Sequence, residues 1–178
     1  DLEIIIPKLY GAEIKKEVVS KRSGNGNYNY SITDRQAFLD DVKNHSEQLS
    51  ETAISAMSDV LTIFEKITEQ YDAELHYYKS EKANRFIATI RDIDGKMIIS
   101  EYSSGEIWVP RQDAEESDNA RAYTRRVLNR LIDEKLFDKT EKHLSATQWA
   151  VMMTRSKNDA SIDQQLVRLV EILNEEIK

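Results

Sequence analysis

Four side chains in the middle of the sequence are spaced as a metal site or an acid–base pair would require. If a helix runs through residue 80, two glutamates, an aspartate and a histidine fall within about 60° of one another around its axis. Carboxylates and an imidazole on one side of a helix can hold a divalent metal or move a proton. The four residues are Glu65, Glu69, Asp72 and His76.

The position of this group on the helix weakens the catalytic interpretation. The group lies opposite the apolar side of the helix, where side chains normally face solvent. Metal centres inside helical bundles use Glu-x-x-His pairs from several helices, and this sequence has no such pair. The sequence therefore predicts no metal site and no cofactor, and a metal-dependent enzyme stays only as an alternative.

A second cluster consists of four arginines within ten residues, on the half of a predicted helix opposite its apolar side. Such a cluster can bind phosphates, and two further predicted helices make a helix-turn-helix unit conceivable. Acidic residues before and after the cluster oppose this interpretation, and an ion-paired or solvated arginine face is the ordinary alternative. The four residues are Arg121, Arg125, Arg126 and Arg130.

Composition excludes several chemistries. The 178 residues include no cysteine, so disulfides, thiolate catalysis and cysteine-bound zinc are impossible. The net charge of −7 argues against general affinity for nucleic acid or anionic membranes. The sequence shows no signal peptide and no apolar run long enough to cross a bilayer, which favours the cytoplasm. The chain begins at Asp1 rather than Met, so it could be part of a longer protein.

The element that must position these groups is a long central helix, predicted over residues 34–82. The sequence has no glycine or proline between Gly26 and Gly95, and a capping signal begins at Thr33. Breaks are conceivable near residues 44–46 and 71–72. Apolar side chains follow one stripe, which starts with Phe38, Val42, His45 and Leu49 and continues through Ala56, Val60, Ile63 and Ile67.

The length of this helix suggests a partner. About 45 helical residues span roughly 68 Å, whereas a compact domain of this size measures about 40 Å across. An uninterrupted helix would therefore leave the first part of the stripe exposed unless another molecule covers it. Phe38, Val42, His45 and Leu49 are accordingly predicted to contact another protein or a second copy of the chain.

The remaining sequence divides into three regions. Residues 1–33 are predicted to form a strand and hairpin region, in which Tyr28, Tyr30 and Ile32 share one face. Residues 83–111 predict an antiparallel meander, with a type I′ turn at Asp94-Gly95. Residues 112–178 predict helices at 121–137, at 145–156 and from Ser161 onward. The last helix carries an apolar stripe of Leu166, Leu169, Leu173 and Ile177.

Together these patterns predict an α+β fold that is predominantly helical. It would contain a long central helix, either continuous or broken, a small antiparallel β-meander and a C-terminal helical cluster. The predicted function is a non-enzymatic protein–protein interaction or assembly module that uses exposed helical stripes. The alternatives are a nucleic-acid-binding regulator that uses the arginine face and a metal-dependent enzyme.

Overall fold

The computed structural model describes residues 30–81, 85–110, 119–136 and 159–177, together with the backbone of 149–153. The predicted strand and hairpin before residue 30 lie outside these ranges. The described elements, in chain order, are β1 (Tyr30–Ile32), α1 (Arg35–Asn44), α2 (Glu51–Gln70), β2 (Ala73–Ser80), β3 (Arg85–Asp92), β4 (Met97–Tyr102), β5 (Glu106–Pro110), α3 (Ala120–Asp133), β6 (Trp149–Met153) and α4 (Ala160–Glu175).

The predicted central helix is two helices separated by residues 45–50. The α1 helix starts one residue later than predicted, because the Asp34 carboxylate accepts a hydrogen bond from the Ala37 amide. Ser50 caps α2 by accepting from the Ala53 amide at 3.0 Å. A serine that satisfies a first-turn amide allows a new helix to begin without glycine or proline between the two. The continuous helix favoured by the sequence is therefore wrong.

The second helix ends at Gln70, and residues 73–80 form strand β2 rather than more helix. Leu75 and Tyr77 pack against the core, while the intervening residues face the other side of the sheet. This alternation has a period of two, which suits a strand with one buried face. Backbone pairing with β1 and β3 determines that these residues form a strand rather than a helix.

The described strands form one six-stranded antiparallel sheet, in which spatial order follows chain order from β1 to β6. The described helices contribute to the core on one side of it: α1 contacts β3, α2 contacts β2 and β3, and α3 contacts β4 and β5. The α4 helix packs against α2 and α3. The fold is mixed α+β, and the prediction that helix predominates is wrong because the sheet is larger than a small meander.

The predicted hairpin between β3 and β4 is present, but its turn differs from the predicted type. The Gly95 amide donates to the Asp92 carbonyl, and Lys96 and Asp92 pair at the loop base. Gly95 has a φ of 75°, whereas Asp94 does not have a positive φ. A type I′ turn needs positive φ at both central residues, so this is a longer loop closed by a left-handed glycine.

Two helices of the predicted C-terminal cluster are present as α3 and α4, but the helix predicted at 145–156 is wrong. Residues 149–153 form β6, which pairs with β5, inside the range predicted as a helix. Short apolar runs fit a buried strand or a buried helix equally well, so only the neighbouring strand separates the two. The flanking helices α3 and α4 are capped by the side chains of Asn119 and Asp159.

The core lies between the sheet and the helices, and the first part of the predicted contact stripe belongs to it. Phe38, Val42 and Leu49 are 0%, 1% and 3% exposed. Phe38 meets the ring of Tyr77 edge to face, with centroids 6.3 Å apart. Where α3 meets α4, the Tyr123 hydroxyl donates to the Leu173 carbonyl at 2.9 Å and joins the two helices. The break after α1 is what allows this helix to fold back onto the sheet.

Truncation of the α1 anchor tests this packing. We expect Phe38→Ala to lower the free energy of unfolding by about 3–5 kcal/mol, because the substitution leaves a cavity in a filled core. Urea denaturation followed by circular dichroism measures the change. Ile93→Ala is the control, because Ile93 is 76% exposed, and it should stay within about 0.5 kcal/mol of wild type. Equal stability of the two variants would show that α1 does not pack as described.

Candidate functional site

The structure separates the four residues predicted to share one helix side. Glu65 and Glu69 remain on α2, but Asp72 follows its end and His76 lies on β2. Glu65 pairs with Arg35 at 3.3 Å, and the His76 Nε2 lies 3.2 Å from a carboxylate oxygen of Glu74. Within the described ranges, no three potential metal ligands come together.

Arg121, Arg126 and Arg130 of the arginine face are ion-paired with acidic residues, most of which come from other parts of the fold. Arg121 pairs with Asp92 and Asp94 in the β3–β4 hairpin, a contact that no local sequence pattern indicates. The other contacts involve α4 and the end of α3: Arg126 with Glu176 at 3.2 Å, and Arg130 with Glu134 at 3.0 Å and with Glu175 at 2.6 Å. These ion pairs reduce the positive field available for phosphates.

The ion-pair network continues from α3 into α4. Arg168 donates to both carboxylate oxygens of Glu134, at 2.7 and 2.8 Å. Hydrogen bonds from Arg168, and then from Arg130, lower the pKa of Glu134 to about 2. The network therefore keeps this carboxylate ionised over the whole physiological pH range and joins the two helices.

His45, the polar member of the predicted contact stripe, belongs to a small hydrogen-bonded group. Its Nε2 lies 3.4 Å from the Asp41 carboxylate, which accepts a 2.6 Å hydrogen bond from the Ser103 hydroxyl. The carboxylate lies between the serine and the histidine, whereas a catalytic triad needs the histidine between them. Ser103 is also buried and accepts from the Phe86 amide. The group therefore anchors α1 to the β4–β5 turn.

Phe38, Val42 and Leu49, which were predicted to contact a partner, are buried inside the protein. The protein's own sheet and α2 cover these side chains, so a second molecule is not needed to hide them. Their role in contacting a partner stays a prediction, and the break between α1 and α2 removes the long exposed helix that would have required one. The stripe at Leu166, Leu169 and Leu173 is likewise buried in the core.

The sheet surface opposite the helices carries a group of ring side chains, which we call the aromatic face. Strand register places its members together: Ile32 is opposite Tyr78, Tyr78 is opposite Ile87, and Ile87 is opposite Tyr102. The rings contact one another, with centroids 5.8 Å apart for His76–Tyr78 and 6.2 Å for Tyr102–Trp108. The aromatic face consists of Tyr30, His76, Tyr78, Tyr102 and Trp108.

Charges at the aromatic face are compensated locally. Arg85 lies with its guanidinium carbon 4.3 Å from the Tyr102 ring centroid and pairs with Glu106 at 2.9 Å. Arg91 donates to the Gly95 carbonyl at 2.8 Å. Burial is the main cause that raises the pKa of Tyr78 and that of Tyr102, so both phenols are uncharged at neutral pH. Arg91 also lies opposite Glu74 in the β2–β3 register, so two glutamates balance the two arginines and the aromatic surface has little net charge.

The sequence indicated only the edge of this surface. The alternation around Tyr30 and Ile32 correctly places both on one face, and they are 47% and 61% exposed. The alternation of His76 and Tyr78 was obscured because these residues were assigned to the central helix. A period-two reading of residues 73–80 was the signal that could have found them.

A buried acid lies on the opposite, helix-covered side of the sheet. Register places Tyr77, Ala88 and Glu101 in one row across β2, β3 and β4. Glu101 is fully buried, and neither carboxylate oxygen has a hydrogen-bond partner among the residues that the structure describes. Burial raises the pKa of Glu101 well above the ordinary 4.5. The pKa of the neighbouring Tyr77 is raised to about 12, mainly by burial and to a smaller extent by the negative charge of Glu65. Glu101 is therefore protonated well above the pH at which an exposed glutamate ionises.

Glu101 should make the free energy of unfolding fall as the pH rises. Folded Glu101 keeps its proton while the unfolded chain releases it above about pH 4.5, so each further pH unit favours unfolding by about 1.4 kcal/mol until the folded group ionises. We expect Glu101→Gln to remove this slope, as measured by urea denaturation from pH 5 to pH 9.

The matched control for this change is Glu69→Gln, which alters an exposed acid on α2. In this variant the free energy of unfolding should fall with rising pH as steeply as in wild type. If stability of wild type and Glu101→Gln changed in parallel with pH, Glu101 would not be a buried neutral acid.

None of the helices in the described part of the chain is both long and apolar enough to cross a membrane. Searches among known proteins found no matching family model, no similar curated protein and no similar solved structure. The function must therefore be argued from the surfaces themselves.

Proposed function

We propose that the protein is a non-enzymatic protein-interaction module that presents its aromatic face to a protein partner. The observation that supports this proposal is the cluster of rings on the sheet surface opposite the helices, with Tyr30 and Ile32 exposed at its edge. Tyrosine and tryptophan are enriched at the centres of protein interfaces because they offer a large apolar area and a polar tip.

The charges near the aromatic face favour a protein over a nucleic acid. The two arginines on this surface already contact Glu106, the Gly95 carbonyl and aromatic rings. Proteins that bind single strands combine stacking rings with a positively charged groove, and the net charge of −7 opposes such a field. A partner with an uncharged, apolar contact surface matches the aromatic face best.

A pair of isoleucine variants tests this proposal. Ile32→Ser changes the exposed edge of the aromatic face, and Ile93→Ser makes the same change in the β3–β4 loop. We expect a protein that co-purifies with wild type to be retained by Ile93→Ser and lost by Ile32→Ser. Hydrogen exchange on the recovered complex should show protection in β1 and β2. Retention by both variants, or protection confined to the helices, would contradict the proposal.

The nucleic-acid alternative gives a separate prediction. Because Arg121, Arg126 and Arg130 are ion-paired, we expect single- and double-stranded oligonucleotides to bind no more tightly at 50 mM than at 200 mM salt, as measured by fluorescence anisotropy. A steep salt dependence that Arg125→Ala with Arg126→Ala makes shallower would instead support a nucleic-acid regulator.

Sedimentation of the protein alone would detect self-association, in which case the partner is a second copy.

A further inference from the structure

A groove runs between α2 and α4 on the side of the molecule away from the sheet. The two helices lie side by side in the same direction and are joined at both ends. Near their starts, the Ser50 hydroxyl donates to the Asp163 carboxylate at 2.7 Å. Near their ends, the Lys66 ammonium donates to the Asn174 side chain at 3.0 Å. Between these bridges lies a groove of about 280 Å³.

The groove exists because small side chains on α2 face valines on α4. Ala56 is buried at its base, whereas Val167 is 47% exposed and among the more exposed apolar side chains of the described residues. Spacings of three and four residues place each set on one side of its helix. The lining residues are Thr52, Ser55, Ala56 and Asp59 from α2, and Val167, Val170 and Glu171 from α4.

The rim of the groove is acidic. Two of its lining residues, Asp59 and Glu171, are acidic. Over their whole length, helices α2 and α4 carry seven acidic side chains and two basic ones. Both basic side chains are engaged, Lys66 with Asn174 and Arg168 with glutamates. Asp59 is exposed at the groove and makes no ion pair or hydrogen bond with the described part of the chain. Its charge is therefore available to a cation.

We propose that this groove binds a basic segment of a protein partner. An aliphatic side chain of the segment would lie against Val167 and Val170, and a flanking lysine or arginine would pair with Asp59, because Glu171 already pairs with Arg168 at 2.7 Å. The volume suits one or two side chains and lies below the usual 300–1,000 Å³ range of small-molecule pockets. An apolar floor with an acidic rim is complementary to a basic amphipathic helix.

This site is separate from the aromatic face. The aromatic face lies on the far side of the sheet, whereas the groove lies on the outer side of α2, beyond the core. A second copy of the chain is a poorer occupant, because two molecules with a net charge of −7 repel each other. The groove proposal therefore does not depend on the aromatic-face proposal.

The probe is a synthetic peptide of about 12 residues with leucines at positions i and i+4 and lysines around them, which can present one apolar stripe as a helix. Its twin has every lysine replaced by glutamate. We expect the basic peptide to shift the backbone NMR signals of residues 52–59 and 167–171. The acidic twin should bind at least tenfold more weakly, as measured by fluorescence anisotropy at two salt concentrations.

Single substitutions separate the apolar and the charged parts of the site. Val167→Ser should weaken binding about tenfold, equivalent to about 1.4 kcal/mol of lost apolar contact. Asp59→Asn should weaken it about two- to fivefold, as expected for an exposed ion pair. Ile93→Ser and Glu69→Gln make comparable changes outside the groove and should leave the affinity unchanged.

Any of three results with the peptides would overturn the proposal. They are equal affinity for the basic and acidic peptides, no effect of either groove variant, and signal shifts confined to residues outside the groove. Self-association that Val167→Ser abolishes would assign the groove to a second copy and would also overturn it. Ile32→Ser should not change peptide affinity, so failure of the groove proposal can be distinguished from failure of the proposal for the aromatic face.

Discussion

The packing of α1 and α2 against one face of the sheet is the interaction on which the rest of the structure depends. It requires the chain to turn in residues 45–50, because a straight helix would carry Phe38 and Val42 away from β3. The Ser50 cap stabilises the start of α2, and the contact between Asp41 and Ser103 fixes α1 over the β4–β5 turn. With this turn in place, one hydrophobic core includes residues of all four described helices.

This arrangement gives the molecule two different surfaces. Because the described helices form the core on one side of the sheet, ring side chains gather on the opposite side. On the helical side, the charged residues of α2 and α4 are mainly acidic, while Arg130 and Arg168 pair with glutamates. The two surfaces therefore suit partners of different chemistry, one uncharged and aromatic or aliphatic, the other basic.

Glu101 is the exception to an otherwise apolar row in the middle of the sheet. Its neighbours across the strands are Ala88 and Ile107, neither of which can satisfy a carboxylate. An unpaired buried charge is far more costly than a neutral carboxylic acid, so the group responds by holding its proton. The fold thus tolerates this polar group in its core, and stability depends on its protonation state.

Sequence alone determined those features that depend on near neighbours along the chain. The turn at Gly95, the strands around it, the apolar stripe of the last helix and the alternation at Tyr30 and Ile32 follow from local patterns. The starts of α1, α3 and α4 lie within about a residue of the predicted positions for the same reason, since a cap involves residues two or three apart, whereas the start of α2 was not predicted.

Tertiary structure decided the rest, because the deciding partners are far apart in sequence. Residues 73–80 became a strand because β1 and β3 offered backbone partners, and Arg121 lost its availability to phosphates by meeting Asp92 and Asp94. The burial of Phe38 depended on where α1 folded back, which no local spacing records. Local patterns could therefore identify which side chains are apolar or charged, whereas only the packed fold determined which of them face a partner.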